Sequence, residues 1–433
     1  MANLSYSLNF LNVTYGDDDL TNDSAIRDQP LFNEIDIEEY GGSSVEEKFF
    51  LSGPRGFSGN LTDAQQVAQS TGGGASRLKW VHPFGRHVGS IQVDIEDVIQ
   101  GRPDQAAADR ALESEFDKGM ASEGQNLADR VMGRAGLAMG YGEYEETAGT
   151  PTGFPSFCIR FADPSDARNF QVGDQVVISA TDGTTDGALV GETGYVMGRD
   201  VILGYIRVAS LDDIDTAANP GGWVDESNYY VFKLGEYTDG DPDDIVTSYE
   251  RFLPAAAASD TLHGVDRSID SILSGFRLPS SLEKGSILQR SKRLITLMHA
   301  RGGLKKMDAK SLLVVYNAED WGTAAEELES QVNRTVGATT ESGYEAFTVR
   351  TAVGETRFVS DPGKNKGRAF ILNTSLLKIY TASGRLFETI PDGSGSIIHL
   401  MPGTNRYEVR TISKPAVGFG APYMHGSHDT DVS

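Results

Sequence analysis

Leu112, Phe116 and Met120, followed by Leu127, Val131 and Ala135, recur at four-residue steps, and this apolar stripe predicts one helix over 103–139. Pro103 suits a first helical position, where its missing N–H costs nothing, and Asp104 stands in the first turn. At 1.5 Å per residue such a helix is about 55 Å long. Gly119, Gly124 and Gly133 are the places where it would bend. That length exceeds a typical globular helix, so the rest of the chain is expected to be arranged around a strut.

A chain of 433 residues suggests two compact units plus extended segments. No stretch approaches the roughly 20 consecutive apolar residues of a membrane helix. The start, MANLSYSLNFLNVTYG, has neither the basic flank nor the apolar centre of a secretion signal. Cys158 is the only cysteine, which excludes an internal disulfide and a zinc site of paired cysteines and fits a reducing cytoplasm. The net charge of -24 argues against wrapping nucleic acid, because phosphate binding relies on Lys and Arg. The charge is uneven. Residues 1–50 carry eleven acids and two bases, and residues 155–250 carry eighteen and five, which leaves 33 acids and 31 bases elsewhere. A near-neutral body with two acidic appendages is expected, the body packed against neighbours and the appendages in water.

Residues 1–77 lack a sustained period and end in Thr71, Gly72, Gly73 and Gly74, so they are expected to form an extended arm. Tyr6, Phe10, Tyr15, Phe32, Tyr40, Phe49 and Phe50 would anchor that arm on another surface. Residues 78–102 predict a long hairpin with its tip near Gly85, Arg86, His87 and Gly89. Trp80, Phe84, Arg86 and His87 of this hairpin, with Tyr40, Phe49 and Phe50 of the arm, are the candidate contacts between subunits. The helix and the start of the body occupy 103–154. From 155 to 250 short strands alternate with turns, which suggests an inserted acidic barrel or sandwich containing Val201–Val208 as one strand. Over 251–433 the pattern is mixed, giving an α+β class. Ser280 and Glu283 have capping-box spacing before the stripe Ile287, Leu294 and Met298. Leu312–Tyr316 reads as a buried strand, and Asn317 as the cap of a helix facing inward through Trp321, Ala325, Leu328 and Val332.

Little in the chain suggests catalysis. The seven histidines form no metalloprotease pattern, and no phosphate loop, nucleophile elbow or dinucleotide fingerprint follows a predicted strand. His425 and His428 are expected in a solvated tail. Cys158, between Phe157 and Ile159, is expected to be a buried structural thiol. Asp239, Asp241, Asp243 and Glu250 match the 1, 3, 5 and 12 spacing of a calcium loop, although Asp244 replaces its glycine and Pro242 interrupts it. An acidic interdomain loop is the plainer expectation, and no cofactor, metal or catalytic residue is assigned.

The segments LLVVYNAEDWGTAAEELES, YEAFTVRTAVGETRFVSDPGKNKGRAFILNTSLLKIY and NRYEVRTISKPAVGFGAPYMHG, in that order, resemble the major capsid proteins of tailed bacteriophages with the Hong Kong 97-like fold. The resemblance covers roughly residues 40–155 and 250–425. It implies an N-arm, an E-loop, a spine helix, an A-domain and a P-domain, with 155–250 as an insertion that the simplest members lack. It further implies hexamers and pentamers in an icosahedral shell around double-stranded DNA, without sequence-specific DNA binding and without a membrane. A portal protein, and scaffold or decoration proteins, would be its partners, and it would assemble in the host cytoplasm into the virion capsid. An encapsulin-like compartment shell and a calcium-dependent carbohydrate-binding or depolymerase protein are the alternatives.

Overall fold

The computed structural model describes residues 29, 31–52, 58–69, 76–94, 105–134, 136–146, 156–183, 187–210, 220–237, 246–278, 282–301, 309–330, 338–339, 345–361, 363–364, 366–391, 396–400 and 406–430. The chain opens with β1 (Asp36–Glu39) and β2 (Ser44–Ser52), then helix α1 (Leu61–Gln69), β3 (Ser76–Pro83) and β4 (His87–Asp94). Next comes the long helix α2 (Gln105–Met132), 28 residues or about 42 Å. Its stripe is buried at Phe116, Met120, Leu127 and Val131. Pro103 and Ala135 lie outside the described residues. Gly119 is a contact seat, since a Cβ there would stand 2.6 Å from Ile91 Cγ2 of β4. The helix ends seven residues before the expected 139, because Leu137 takes a φ of 65° and Met139 N–H already donates to Val231 O.

That bond leads into a closed barrel of six antiparallel strands, β5 (Gly140–Glu145), β6 (Cys158–Phe161), β7 (Gln175–Ser179), β8 (Leu189–Asp200), β9 (Tyr205–Ser210) and β10 (Ser227–Lys233), in the order β10-β5-β6-β9-β8-β7. Closure leaves no free sheet edge. The barrel fills its interior with its own core, including Tyr144, Ile159, Phe161, Phe170, Val196, Ile206 and Trp223. It begins at 140, earlier than the expected 155. Its first strand, GYGEYE, reads as a poor strand because of its glycines. Gly142 is nonetheless required, since a Cβ there would stand 2.2 Å from Arg160 O. The expected strand Val201–Val208 is broken by a turn at 201–204, so β9 starts only at Tyr205.

After the barrel come a single turn α3 (Tyr249–Phe252), a small ladder of β11 (Thr261–Leu262) and β12 (Val265–Asp266), β13 (Phe276–Arg277), α4 (Ile287–Arg301), β14 (Leu312–Tyr316) and α5 (Ala318–Ser330). The remaining strands are β15 (Ala338–Thr339), β16 (Glu345–Thr351), β17 (Gly354–Ser360), β18 (Arg368–Asn373), β19 (Leu377–Thr381), β20 (Glu388–Thr389), β21 (Ile398–Leu400), β22 (Arg406–Ser413), β23 (Ala416–Phe419) and β24 (Gly426–Asp429). Seven of the strands from β13 onward form one mixed sheet in the order β13-β24-β18-β14-β17-β16-β15. Its central strand β14 is buried at every residue, as expected for an unbroken apolar run. Asn317 caps α5: its Oδ1 accepts from Glu319 N–H at 3.0 Å while its Nδ2 donates to Lys364 O at 2.6 Å. Ser280, the first residue of the expected capping box, lies outside the described residues.

Three expectations change. β3 and β4 do not pair with each other: β3 pairs with β2 from Ser44↔Pro83 to Ser52↔Ser76, and β4 pairs with β22 from Asp94↔Arg406 to His87↔Ser413. Gly85 N–H donates to Pro415 O at 3.0 Å and ties the bend between them to the C-terminal strands, which turns β4 away from β3. The hairpin is therefore 44–83, with α1 in its connection. Residues 31–39 are not a free arm, since Leu31, Phe32 and Ile35 are buried and β1 lies parallel to β19. Nor is the C-terminal stretch a solvated tail. β24 lies between β13 and β18, with His425 and His428 buried. Burial lowers their pKa values to about 3 and about 4, so both stay neutral. His428 Nε2 instead joins a buried chain with Ser291 Oγ at 2.6 Å, which reaches Tyr316 OH at 2.5 Å.

Candidate assembly surfaces

The root of the β2–β3 hairpin is an aromatic stack. Trp80 is fully buried, stacked on Phe49 with centroids 5.5 Å apart and edge-on to Phe252 at 5.7 Å. Phe252 stacks in turn on Phe419 of β23 at 4.6 Å and on His263 at 5.5 Å. Glu47 of β2 joins these parts through Oε2, which accepts from Phe419 N–H at 3.0 Å and lies 3.1 Å from His82 Nε2. Burial, with His82 nearby, lowers the His263 pKa to about 3 and keeps that ring neutral. Among the described residues β2 and β3 form a two-stranded ladder, and on the outer edge of β3 Val81 N–H donates to His263 O at 2.9 Å. The Lys79–Glu46 pair at 2.6 Å lies across them in solvent and contributes little.

The candidate contact residues divide into two groups. Phe49, Trp80 and His87 are spent within the chain, His87 through Nε2 at 2.7 Å from Glu123 Oε2 of α2. Tyr40 is half-buried, edge-on to Tyr380 at 5.9 Å, and its N–H donates to Thr381 O. Phe84 is half-buried and Arg86 exposed at the bend between β3 and β4. Phe50 occupies β2 opposite Arg77, with its side chain outside the described residues. Of the proposed calcium loop, Asp239, Asp241 and Asp243 lie outside the described residues. Glu250 is held by Arg368 Nη1 at 2.7 Å. Among the described residues no group of three or more His, Cys, Asp or Glu side chains is placed to hold a metal, and no helix is long and apolar enough to cross a membrane.

One surface escaped the sequence reading. Val201, Ile202 and Leu203, at 48%, 87% and 55% exposure, form the turn between β8 and β9. Asp200 Oδ1 accepts from Ile202 N–H and Leu203 N–H, both at 2.9 Å. Gly204 has a φ of +74° and packs so closely that a Cβ would stand 2.4 Å from Pro164 Cα. A pinned turn thus presents three adjacent aliphatic side chains to solvent, a low-entropy anchor for another surface. The Asp before and the Gly after these residues were the available turn signal.

Cys158 is a free thiol buried in β6, and burial raises its pKa to about 12. A thiol-reactive reagent at pH 8 is expected to leave the native chain unlabelled and to label it once in denaturant. Stoichiometric labelling of the folded chain would contradict that placement.

No protein-family model matches the chain, and no curated protein does. Among solved structures the chain is similar to the cyanophage A-1(L) capsid asymmetric unit, at 10% identity and a TM-score of 0.46, covering 94% of this chain and 94% of that one. It is similar to the capsid of an empty GTA particle at 8% identity and a TM-score of 0.42, covering 93% and 96%. It is also similar to a virus-like particle from Pyrococcus furiosus at 7% identity and a TM-score of 0.36, covering 94% and 95%.

Proposed function

We propose that this chain is a coat subunit of the Hong Kong 97-like type, copies of which form hexamers and pentamers and close into an icosahedral phage head around double-stranded DNA. The observation that carries this reading is the two-stranded β2–β3 ladder, rooted in the core through Trp80 and Phe49 and, among the described residues, part of no larger sheet. A two-stranded ribbon is marginal in water, and a neighbouring copy would supply the surface it lacks. In this assignment 44–83 is the E-loop, α2 the spine helix, the barrel an inserted domain, and the sheets after it the A- and P-domains. The turn Val201–Leu203 and the exposed Arg86 are further contact candidates. A portal protein, and scaffold or decoration proteins, are the partners of such a coat.

Negative-stain microscopy with sedimentation of the purified full chain tests this. Closed particles of uniform diameter, or rings of five and six, are the expected result. A chain that sediments only as a monomer under all assembly conditions would remove the coat reading.

A further inference from the structure

The last turns of α2, the entry to the barrel and the loop after β17 meet around a small cavity lined by Asp129, Arg130, Gly133, Arg134, Asn169 and Gly363, among others. Gly363 is pressed against the helix: a Cβ there would stand 3.3 Å from the Ala128 carbonyl carbon, 3.0 Å from Asp129 Oδ1 and 3.2 Å from Asp361 Oδ1. The Asp129 carboxylate of α2 and the Asp361 carboxylate of the loop itself thus lie on either side of one glycine position. Asp361 is 1% exposed, and its Oδ1 accepts from Gly363 N–H at 2.8 Å. Asp129 keeps part of its side chain accessible, but its Oδ1 is buried and has no hydrogen-bond donor.

We propose that Asp129 and Asp361 form a proton-operated latch, which holds the end of the long helix on the sheet when protonated and loosens that junction when both carboxylates ionise. Two anions brought this close in a dry junction favour the protonated form. The groups facing Asp129 are Arg168 from the segment after β6, Lys233 from β10 and Asp361 from the loop. Arg168 and Lys364 face Asp361. Nearby Arg130 is paired with Glu236, and Arg134 with Asp166 at 2.8 Å. The surrounding cations reduce the repulsion without cancelling it. Burial, reinforced by Asp361, raises Asp129 from 3.8 to about 7, and burial raises Asp361 to about 6.

The sign follows from those shifts. The closed junction binds protons that the open one has lost, so the latch is fully held below pH 4 and weakens as pH rises toward 7. Each proton makes the opening equilibrium rise about tenfold per pH unit, so both carboxylates act up to about pH 6, Asp129 alone carries the rise on to about pH 7, and the equilibrium levels off above it. The inference holds whatever the chain assembles into.

Hydrogen exchange of the full chain, corrected for intrinsic rates, would be followed in peptides covering 126–137 and 361–368 from pH 5 to 8.5, beside thermal unfolding. The wild type is expected to lose protection there as pH rises toward 7, while Asp129→Asn loses less, only the part that Asp361 contributes up to about pH 6. The melting temperature of Asp129→Asn relative to wild type should climb over the same range and then level. Asp361→Asn, with the same readouts, serves if the first variant folds poorly. A pH-independent offset between variant and wild type, or equal loss of protection in both, would overturn the latch.

Discussion

Removing residues 1–40 is expected to unfold the subunit, or leave it without a cooperative transition, instead of yielding folded subunits that merely fail to assemble. Leu31, Phe32 and Ile35 are 2%, 3% and 5% exposed and belong to the main core. Burial of such side chains contributes about 1.5–3 kcal/mol each, or about 5–9 kcal/mol together as an upper bound. A domain's net stability is about 5–15 kcal/mol, so this loss is decisive. The truncation also strips β1 from β19, and removes Glu34, whose carboxylate grips Arg357 with two bonds at 2.8 and 2.6 Å. That pair is part-exposed and adds about 1 kcal/mol or less. Urea unfolding followed by circular dichroism measures the effect. A truncated chain with the full-length midpoint would show that the core does not depend on residues 31–39.

The elements legible in advance are those whose pattern is local. The stripe Phe116, Met120, Leu127 and Val131 has helical spacing, the run Leu312–Tyr316 is apolar throughout, and Asn317 precedes a helix as a cap. Pairing between distant strands leaves no such trace. Nothing local in His87–Asp94 says that its partner is Arg406–Ser413, more than 300 residues later, and not Ser76–Pro83 beside it. The segment 31–39 looked like an arm because its four apolar side chains, Leu31, Phe32, Ile35 and Ile37, make too short a pattern to stand out among acids, although they suffice to fill a gap in a core formed by others. His425 and His428 misled for a related reason. A short polar strand gains its burial entirely from the strands on either side of it. Of the candidate contacts, residue type singled out aromatic groups, but type alone cannot tell an anchor within the chain from one between chains. Trp80 and Phe49 turned inward, whereas Arg86 remained exposed.

That division supports a paired experiment on the hairpin and its bend. Trp80→Ala is expected to cost about 3–5 kcal/mol, the usual loss when a large aromatic is removed from a packed core. The cavity would open where Phe49 and Phe252 meet, so the hairpin root should lose protection along with global stability. Trp80→Phe should cost less, because it keeps a stacking ring and removes an indole N–H that has no acceptor in its buried site. Arg86→Glu, by contrast, alters an exposed side chain and should leave urea unfolding of the isolated subunit within about 0.5 kcal/mol of wild type. If the chain is a coat subunit, reversing that charge acts on contacts between copies alone, so particle yield should fall at unchanged subunit stability. Equal unfolding of Trp80→Ala and wild type would contradict the aromatic root. Normal particle yield from Arg86→Glu would place the contact between copies elsewhere, with the pinned Val201–Leu203 turn as the next surface to charge.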